Sequence, residues 1–213
     1  MGLIGLGNMG TAIAERVLEA GYPLVVQNRS LEKAAPYVDR GATLADTPTE
    51  LAEEVDVVLT SLADDEAFEH VAEKVLAAAH PASVLVDLST VSASASARVA
   101  SLAAQSSVTY VRAPVSGNPH VVRAGNLAFI VSGPREAIER VEPVLLAIGP
   151  TVHRVGDADE ARVVKLAVNL MIAGPIARRT GSTRSSASRG PETISVRFPA
   201  RTTVGFPLTG ARR

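Results

Sequence analysis

The sequence predicts an α/β fold built on a doubly wound, mostly parallel sheet, and three observations carry that expectation. Short apolar, β-branched runs alternate with helical patterns along residues 1–158. The run 55–60, Val-Asp-Val-Val-Leu-Thr, is nearly continuous in apolar residues, as a strand buried on both faces requires. The chain also opens on MGLIGLGNMG, where a short apolar run enters a glycine turn and then a helix.

That opening organises the rest. Gly5-Leu6-Gly7-Asn8-Met9-Gly10 is a G-x-G-x-x-G. Gly5 permits the tight turn, Gly7 lets the backbone approach a pyrophosphate, and Gly10 lets the helix pack close to the strand. The helix N-terminus then offers free N–H groups and a positive dipole end to the anion. Only Gly2-Leu3-Ile4 precede the turn, a leading strand so short that the loss of a few residues through start-site choice is expected. The second strand, 22–27, ends in Asn28-Arg29-Ser30. An acidic side chain at this point reads the 2′-hydroxyl of NAD. An arginine beside a serine hydroxyl suits a 2′-phosphate instead, so NADP is the expected cofactor, with NAD the alternative.

The remaining elements follow in order. A short helix is predicted at 31–38, a short strand at 41–44, and a helix from Thr49 that opens on a capping hydroxyl. After the buried strand 55–60, the loop 61–65 lies at a strand C-terminus, where open α/β sheets place ligands. Helices are predicted at 68–79, 93–104 and 134–146, and strands at 83–87, 109–111, 127–132 and 151–155. The last readable helix spans 159–174, with Lys165 and Asn169 one turn apart on one face. A lone lysine on an alanine- and valine-rich helix is ordinarily solvated.

Composition removes several function classes. A net charge of −1 gives no field for nucleic acid or an anionic membrane, and aromatics at 3% leave few platforms for base stacking. No cysteine is present, which excludes disulfides and thiolate metal sites, and neither His120 nor His153 has a partner at metal-ligand spacing, so no metal is expected. The chain has neither an apolar run of membrane length nor a basic leader, and a cytoplasmic location is expected. The near-zero charge conceals an asymmetry: residues 175–213 carry eight arginines and one acid, Glu192, for +7, whereas 1–174 carry −8.

Four stretches stand out together: the glycine turn, Asp87-Leu88-Ser89-Thr90, Ala113-Pro114-Val115-Ser116-Gly117, and Lys165-Leu166-Ala167-Val168-Asn169. In this combination the chain resembles the β-hydroxyacid dehydrogenase family, with its 6-phosphogluconate dehydrogenase-type NADP-binding domain. The family includes 3-hydroxyisobutyrate dehydrogenases, tartronate semialdehyde and glyoxylate reductases, and the related imine reductases. The resemblance covers residues 1–174. It implies a dinucleotide-binding domain at 1–158 and, at 159–174, the start of a helix leading to a second, helical domain. Lys165 matches the family's catalytic lysine, suited to general acid chemistry on a substrate carbonyl. Asn169, Ser116, Gly117, Ser89 and Thr90 would hold the substrate, with Thr90 also near the cofactor, and the resemblance implies that the loop Leu62-Ala63-Asp64 lines the nicotinamide ribose. The implied activity is hydride transfer between NADP(H) and a short 3-hydroxyacid or its semialdehyde, with NADPH binding expected to survive loss of the second domain better than turnover does; an imine substrate, or an NADP-binding module without turnover, are the alternatives.

This chain departs from the family at Arg112, where an aspartate is common, at Asn118-Pro119, where a second glycine is common, at Ser92-Ala93, where a proline is common, and at Val168, the first of a usual asparagine pair. Beyond Gly174 the resemblance stops. Pro175 interrupts the helical pattern, and 175–213 is expected to be a disordered tail, produced by a shifted reading frame that truncates the enzyme or serving as a basic arm for polyanions. Val163, Val164, Ala167, Leu170 and Met171 would then lack a partner domain and drive homo-oligomerisation through the last helix.

Overall fold

A computed structural model of the chain describes the backbone of residues 1–180, 193–197 and 203–207, and side chains through 171. Two compact units are present, Met1–Ala167 and Val168–Arg213. The first opens with β1 (Gly2–Ile4), α1 (Asn8–Glu19), β2 (Val25–Gln27), a 3-10 turn at Leu31–Ala34, α2 (Ala35–Val38) and β3 (Thr43–Leu44). It continues through α3 (Pro48–Glu54), β4 (Val57–Thr60), α4 (Asp65–Ala78), β5 (Val84–Asp87), α5 (Ala93–Gln105) and β6 (Thr109–Arg112). Then come β7 (Val115–Ser116), α6 (Pro119–Arg123), β8 (Ala128–Ser132), α7 (Arg135–Ile148), β9 (Thr151–Gly156) and α8 (Glu160–Thr180), whose second half belongs to the second unit.

Nine strands form one sheet in the order β3-β2-β1-β4-β5-β6-β8-β7, with β9 on β8. From β3 to β6 every pairing is parallel, as expected. Beyond β6 the sheet is mixed: β8 runs antiparallel to both β6 and β7, and β9 parallel to β8. Chain order reverses between β1 and β4, where their C-terminal ends leave the crevice that doubly wound sheets use for ligands.

Strand alternation sorts the core onto two faces. Leu3, Leu59, Val86 and Val111 point to a cluster with Ile13, Val17, Ile138 and Leu145 of α1 and α7. Their neighbours Ile4, Val58, Leu85 and Tyr110 point to the other face, with Leu51, Phe68, Val75 and Val99 of α3, α4 and α5. Helix starts are fixed by side-chain caps. The hydroxyl of α3 comes from Thr47, with Pro48 in the first turn, rather than from Thr49 as the sequence suggested. Asp64 caps α4 by accepting from the Ala67 N–H, and Ser92 caps α5 by accepting from the Ala95 N–H.

Other differences from expectation have physical reasons. Within 113–123, where the sequence reading assigns no element, lie β7 and α6, hidden by Pro114, Gly117 and Pro119. Pro175 does not end α8, which runs on to Thr180. A proline removes only one N–H and crowds one carbonyl, a cost that the flanking turns can carry, and α7 likewise continues through Pro143. On α8 Val164 is buried, not open; Val163 and Leu166 face outward, 55% and 42% exposed. The helical period sets Ala161, Val164 and Lys165 on the sheet side and Val163 and Leu166 opposite them.

In the second unit, β10 (Thr193–Arg197) pairs antiparallel with β11 (Thr203–Pro207), placing Ile194 opposite Phe206 and Val196 opposite Val204. Their alternation of apolar and polar residues is a period-2 signal within the arginine-rich tail. The remainder of the tail, 181–192, 198–202 and 208–213, lies outside the described residues, and so does the expectation of disorder there.

Candidate functional site

The site grows out of the glycine turn. Gly5 has φ +100, and a Cβ there would stand 2.3 Å from the Ser61 carbonyl oxygen. At Gly10 a Cβ would meet the Gly5 carbonyl oxygen at 1.8 Å, so α1 can start against β1 only without a side chain. Nothing stands within 4 Å of a Cβ on Gly7, which faces open space. The turn is tied to the end of β2: the Leu6 N–H donates to Asn28 Oδ1 at 2.9 Å, and the Asn28 amide donates to the Ser30 carbonyl. Asn28 therefore shapes the turn with its side chain while also lining the cavity beside it.

A cavity of about 450 Å³ opens here, at the β1/β4 crevice. Gly5, Gly7, Asn28, Arg29, Ser30, Leu62, Ala63 and Asp64, all expected at the cofactor, line it. Leu6, Asn8, Met9 and Gly10 form the turn and helix start behind it without lining it. Sequence reasoning missed Lys33, on the 3-10 turn after Ser30, and the α4 face formed by Ala67, His70, Val71 and Lys74. The signal was available in part: these four positions share one helical face that begins at the expected loop.

The expected substrate residues lie elsewhere. Ser116 is half-buried and Gly117 and Thr90 are exposed, whereas Ser89 is buried. Gly117, with φ +153, turns the chain between β7 and α6, and a Cβ there would press on Leu127 and Val121 at 3.1 Å. The Ser89 hydroxyl accepts from the Leu62 N–H at 2.9 Å, fixing the loop after β4, and retains its own hydrogen and a second lone pair. Neither these residues nor Lys165 line the cavity, and Ser89 meets its lining through the bond from Leu62. Asn169 is exposed and belongs to the second unit.

Lys165 is 9% exposed and has no hydrogen-bond or carboxylate partner among the described residues. Burial holds its ammonium below the ordinary lysine value, toward the range in which a lysine exchanges protons. One turn earlier, Arg162 is fully buried and forms an ion pair with the equally buried Asp87, Nη2 to Oδ2 at 2.6 Å. Its other terminal nitrogen donates to the Ser89 carbonyl at 2.5 Å. Asp87 Oδ1 accepts from Thr60 Oγ1 and from the Ser89 N–H, at 3.0 and 2.9 Å. Thr60, Asp87, Ser89 and Arg162 thus join the ends of β4 and β5 to the helix that carries Lys165.

The departures noted in the sequence have structural duties. Arg112 is buried, pairs with Asp159 at 3.2 Å just before α8, and stacks over Tyr110 at 4.3 Å. Burial pushes the Tyr110 hydroxyl up to about 12. Asn118 caps α6 by accepting from the His120 and Val121 N–H groups. Ser92 caps α5, and Val168 is buried at 4% exposure. Among the described residues no cluster of His, Cys, Asp or Glu could hold a metal ion, and no helix is long and apolar enough to cross a membrane.

Residues 1–156 match the family model described as the NAD binding domain of 6-phosphogluconate dehydrogenase. The 3-hydroxyisobutyrate dehydrogenase of Pseudomonas aeruginosa is 33% identical over 172 residues, covering 79% of this chain and 58% of the relative. Among solved structures, the Mycobacterium tuberculosis 3-hydroxyisobutyrate dehydrogenase, in a structure with L-serine, aligns with a TM-score of 0.77 at 30% identity, over 81% of this chain and 59% of that one. A reductive aminase from Aspergillus terreus, solved with NADPH, cyclohexanone and allyl amine, gives 0.74 at 30% identity, over 83% and 61%. The chain thus spans about three fifths of the length of such relatives. With the glycine turn, the strand order and this match all in agreement, the chain belongs to the family of the NAD-binding domain of 6-phosphogluconate dehydrogenase.

Proposed function

We propose that the chain is the cofactor-binding portion of an NADP(H)-dependent oxidoreductase acting on a short 3-hydroxyacid or its semialdehyde. The observation that carries this reading is the single cavity that runs from Gly5 and Gly7 to Arg29 and Ser30. An open glycine face suits a pyrophosphate, and a guanidinium beside a hydroxyl suits a 2′-phosphate. When bound, the nicotinamide supplies or accepts hydride. Lys165, as ammonium, gives its proton to the carbonyl oxygen in reduction, and as amine takes the hydroxyl proton in oxidation. Asp87 and Arg162 hold the Ser89–Thr90 segment and the first turn of α8 in place. Ser116, Gly117 and Thr90 then offer hydroxyl and backbone donors to a substrate carboxylate. The similarity to 3-hydroxyisobutyrate dehydrogenases favours a hydroxyacid, and that to a reductive aminase makes imines the second class.

The test is NADPH oxidation by the chain with a panel of short semialdehydes, keto acids and imines, run with and without Lys165. Turnover with semialdehydes that requires Lys165 supports the reading, and turnover confined to imines replaces its substrate class. We place the enzyme in the cytoplasm and expect it to form homo-oligomers through α8, on whose outer stripe Val163 and Leu166 are exposed. Sedimentation should show a dimer or larger species that a Val163→Glu/Leu166→Glu variant converts to monomer. A wild-type monomer at tens of micromolar contradicts the oligomer.

A further inference from the structure

Thirteen lysines and arginines precede residue 172. Eight of the arginines pair with carboxylates, and a ninth, Arg140, donates to the Ala82 carbonyl. The four left without a partner among the described residues are Lys165, Arg29, Lys33 and Lys74. The last three line one cavity, Arg29 and Lys33 from the segment after β2 and Lys74 from α4. On a surface where cations are otherwise paired, three unpaired ones have been brought together.

The sequence of α4 segregates its charges. Ala67, His70, Val71 and Lys74 recur at spacings of three and four and face the cavity. Glu69 and Glu73 lie with Arg98 in a separate groove against α5, and Glu69 forms an ion pair with Arg98. No acid sits three or four residues from Lys74 on its cavity side, where His70 and Val71 stand. Asp64 is the sole acid among the cavity's lining residues, and its carboxylate is engaged in capping α4. Three like charges around one space repel one another, and an anion between them turns that repulsion into attraction. A phosphate monoester, with a charge of about −1.5 to −2, is such an anion.

We propose that Lys74 is a specificity-determining residue that grips the 2′-phosphate of NADP(H) from α4, together with Arg29 and Lys33. The inference rests on the NADP(H) reading above and adds a second wall to the site. Ala67 and Val71, with Pro48 across the cavity, supply the apolar surface on which the adenine rests, and Lys74 lies about 10 Å along the helix from Ala67. NAD(H) has no charged group for Lys74 to meet, so the residue acts on the choice between the two cofactors.

Calorimetric titration of the full chain with NADPH and with NADH separates the outcomes. Wild type is expected to prefer NADPH. Lys74→Gln should weaken NADPH binding about tenfold, as the loss of one charge-assisted hydrogen bond does, and Lys74→Glu further. Both variants should leave NADH affinity within about twofold of wild type, and Lys74→Arg should retain most NADPH affinity. Titration with 2′,5′-ADP against 5′-AMP should reproduce the same split. Lys74 is exposed, so the variants are expected to unfold at the wild-type temperature. Equal losses for both dinucleotides, or no loss for NADPH, overturn this inference while leaving the cofactor reading in place. A wild-type chain that binds neither dinucleotide overturns both.

Discussion

Lys165→Ala is expected to lower turnover by about 10²–10⁴-fold, the range that one positioned general acid or base contributes. NADPH affinity should hold, because Lys165 lies outside the cavity that the cofactor is proposed to occupy. Stability should hold as well, since the variant removes a desolvated, unpaired ammonium and leaves no buried carboxylate behind. The pH dependence carries the sign of the shift. Burial lowers the Lys165 pKa from the ordinary 10.5, so the ammonium needed for reduction is lost at a lower pH than a surface lysine would lose it. The reductive rate therefore falls, and the oxidative rate rises, as pH increases through that lowered value. Steady-state kinetics in both directions read this directly. A Lys165→Ala protein within tenfold of wild type, or a reductive limb unchanged by the substitution, removes the lysine from the mechanism.

Arg162→Met is expected to destabilise the first unit by about 3–5 kcal/mol, because it strands the Asp87 carboxylate where neither side chain is exposed to water. That is a large share of the roughly 5–15 kcal/mol by which domains are stable. The double variant Arg162→Met/Asp87→Leu should recover most of the loss, since a buried pair exchanged for apolar groups costs far less than a broken one. Denaturant unfolding of the three variants measures the cycle. A single variant as stable as wild type would show that the pair does not hold α8 on the sheet. A double variant no better than the single one would show that uncompensated charge is not the cause.

Much of this molecule was legible along the chain, because the relevant physics is local. The glycine turn, the alternation of strand and helix, and the end of β2 at Asn28 each depend on neighbours within a few residues. So does the match of Lys165 to a family motif. Elements that depend on tertiary partners were not legible. Arg162 and Asp87 are 75 residues apart, and nothing near either announces the pair. Arg112 reads as a departure beside a substrate loop until Asp159 and Tyr110 are seen around it. Lys74 looks like one more solvated residue on an amphipathic helix, and only the fold brings it into one cavity with Arg29 and Lys33. The antiparallel course of β8 was also hidden, since the strand pattern is the same in either direction. β10 and β11 carried a readable period, which the surrounding arginines, prolines and glycines obscured.

The central claim is that the cavity beside the glycine turn takes a dinucleotide and reads its 2′-phosphate. Calorimetry of the purified chain with NADPH and NADH tests it most directly. The expected result is one NADPH per chain, bound at least tenfold more tightly than NADH, with the preference shrinking as salt screens the exposed cations. Equal affinity for the two cofactors would contradict the 2′-phosphate site, and a folded chain that binds neither would contradict the dinucleotide site itself.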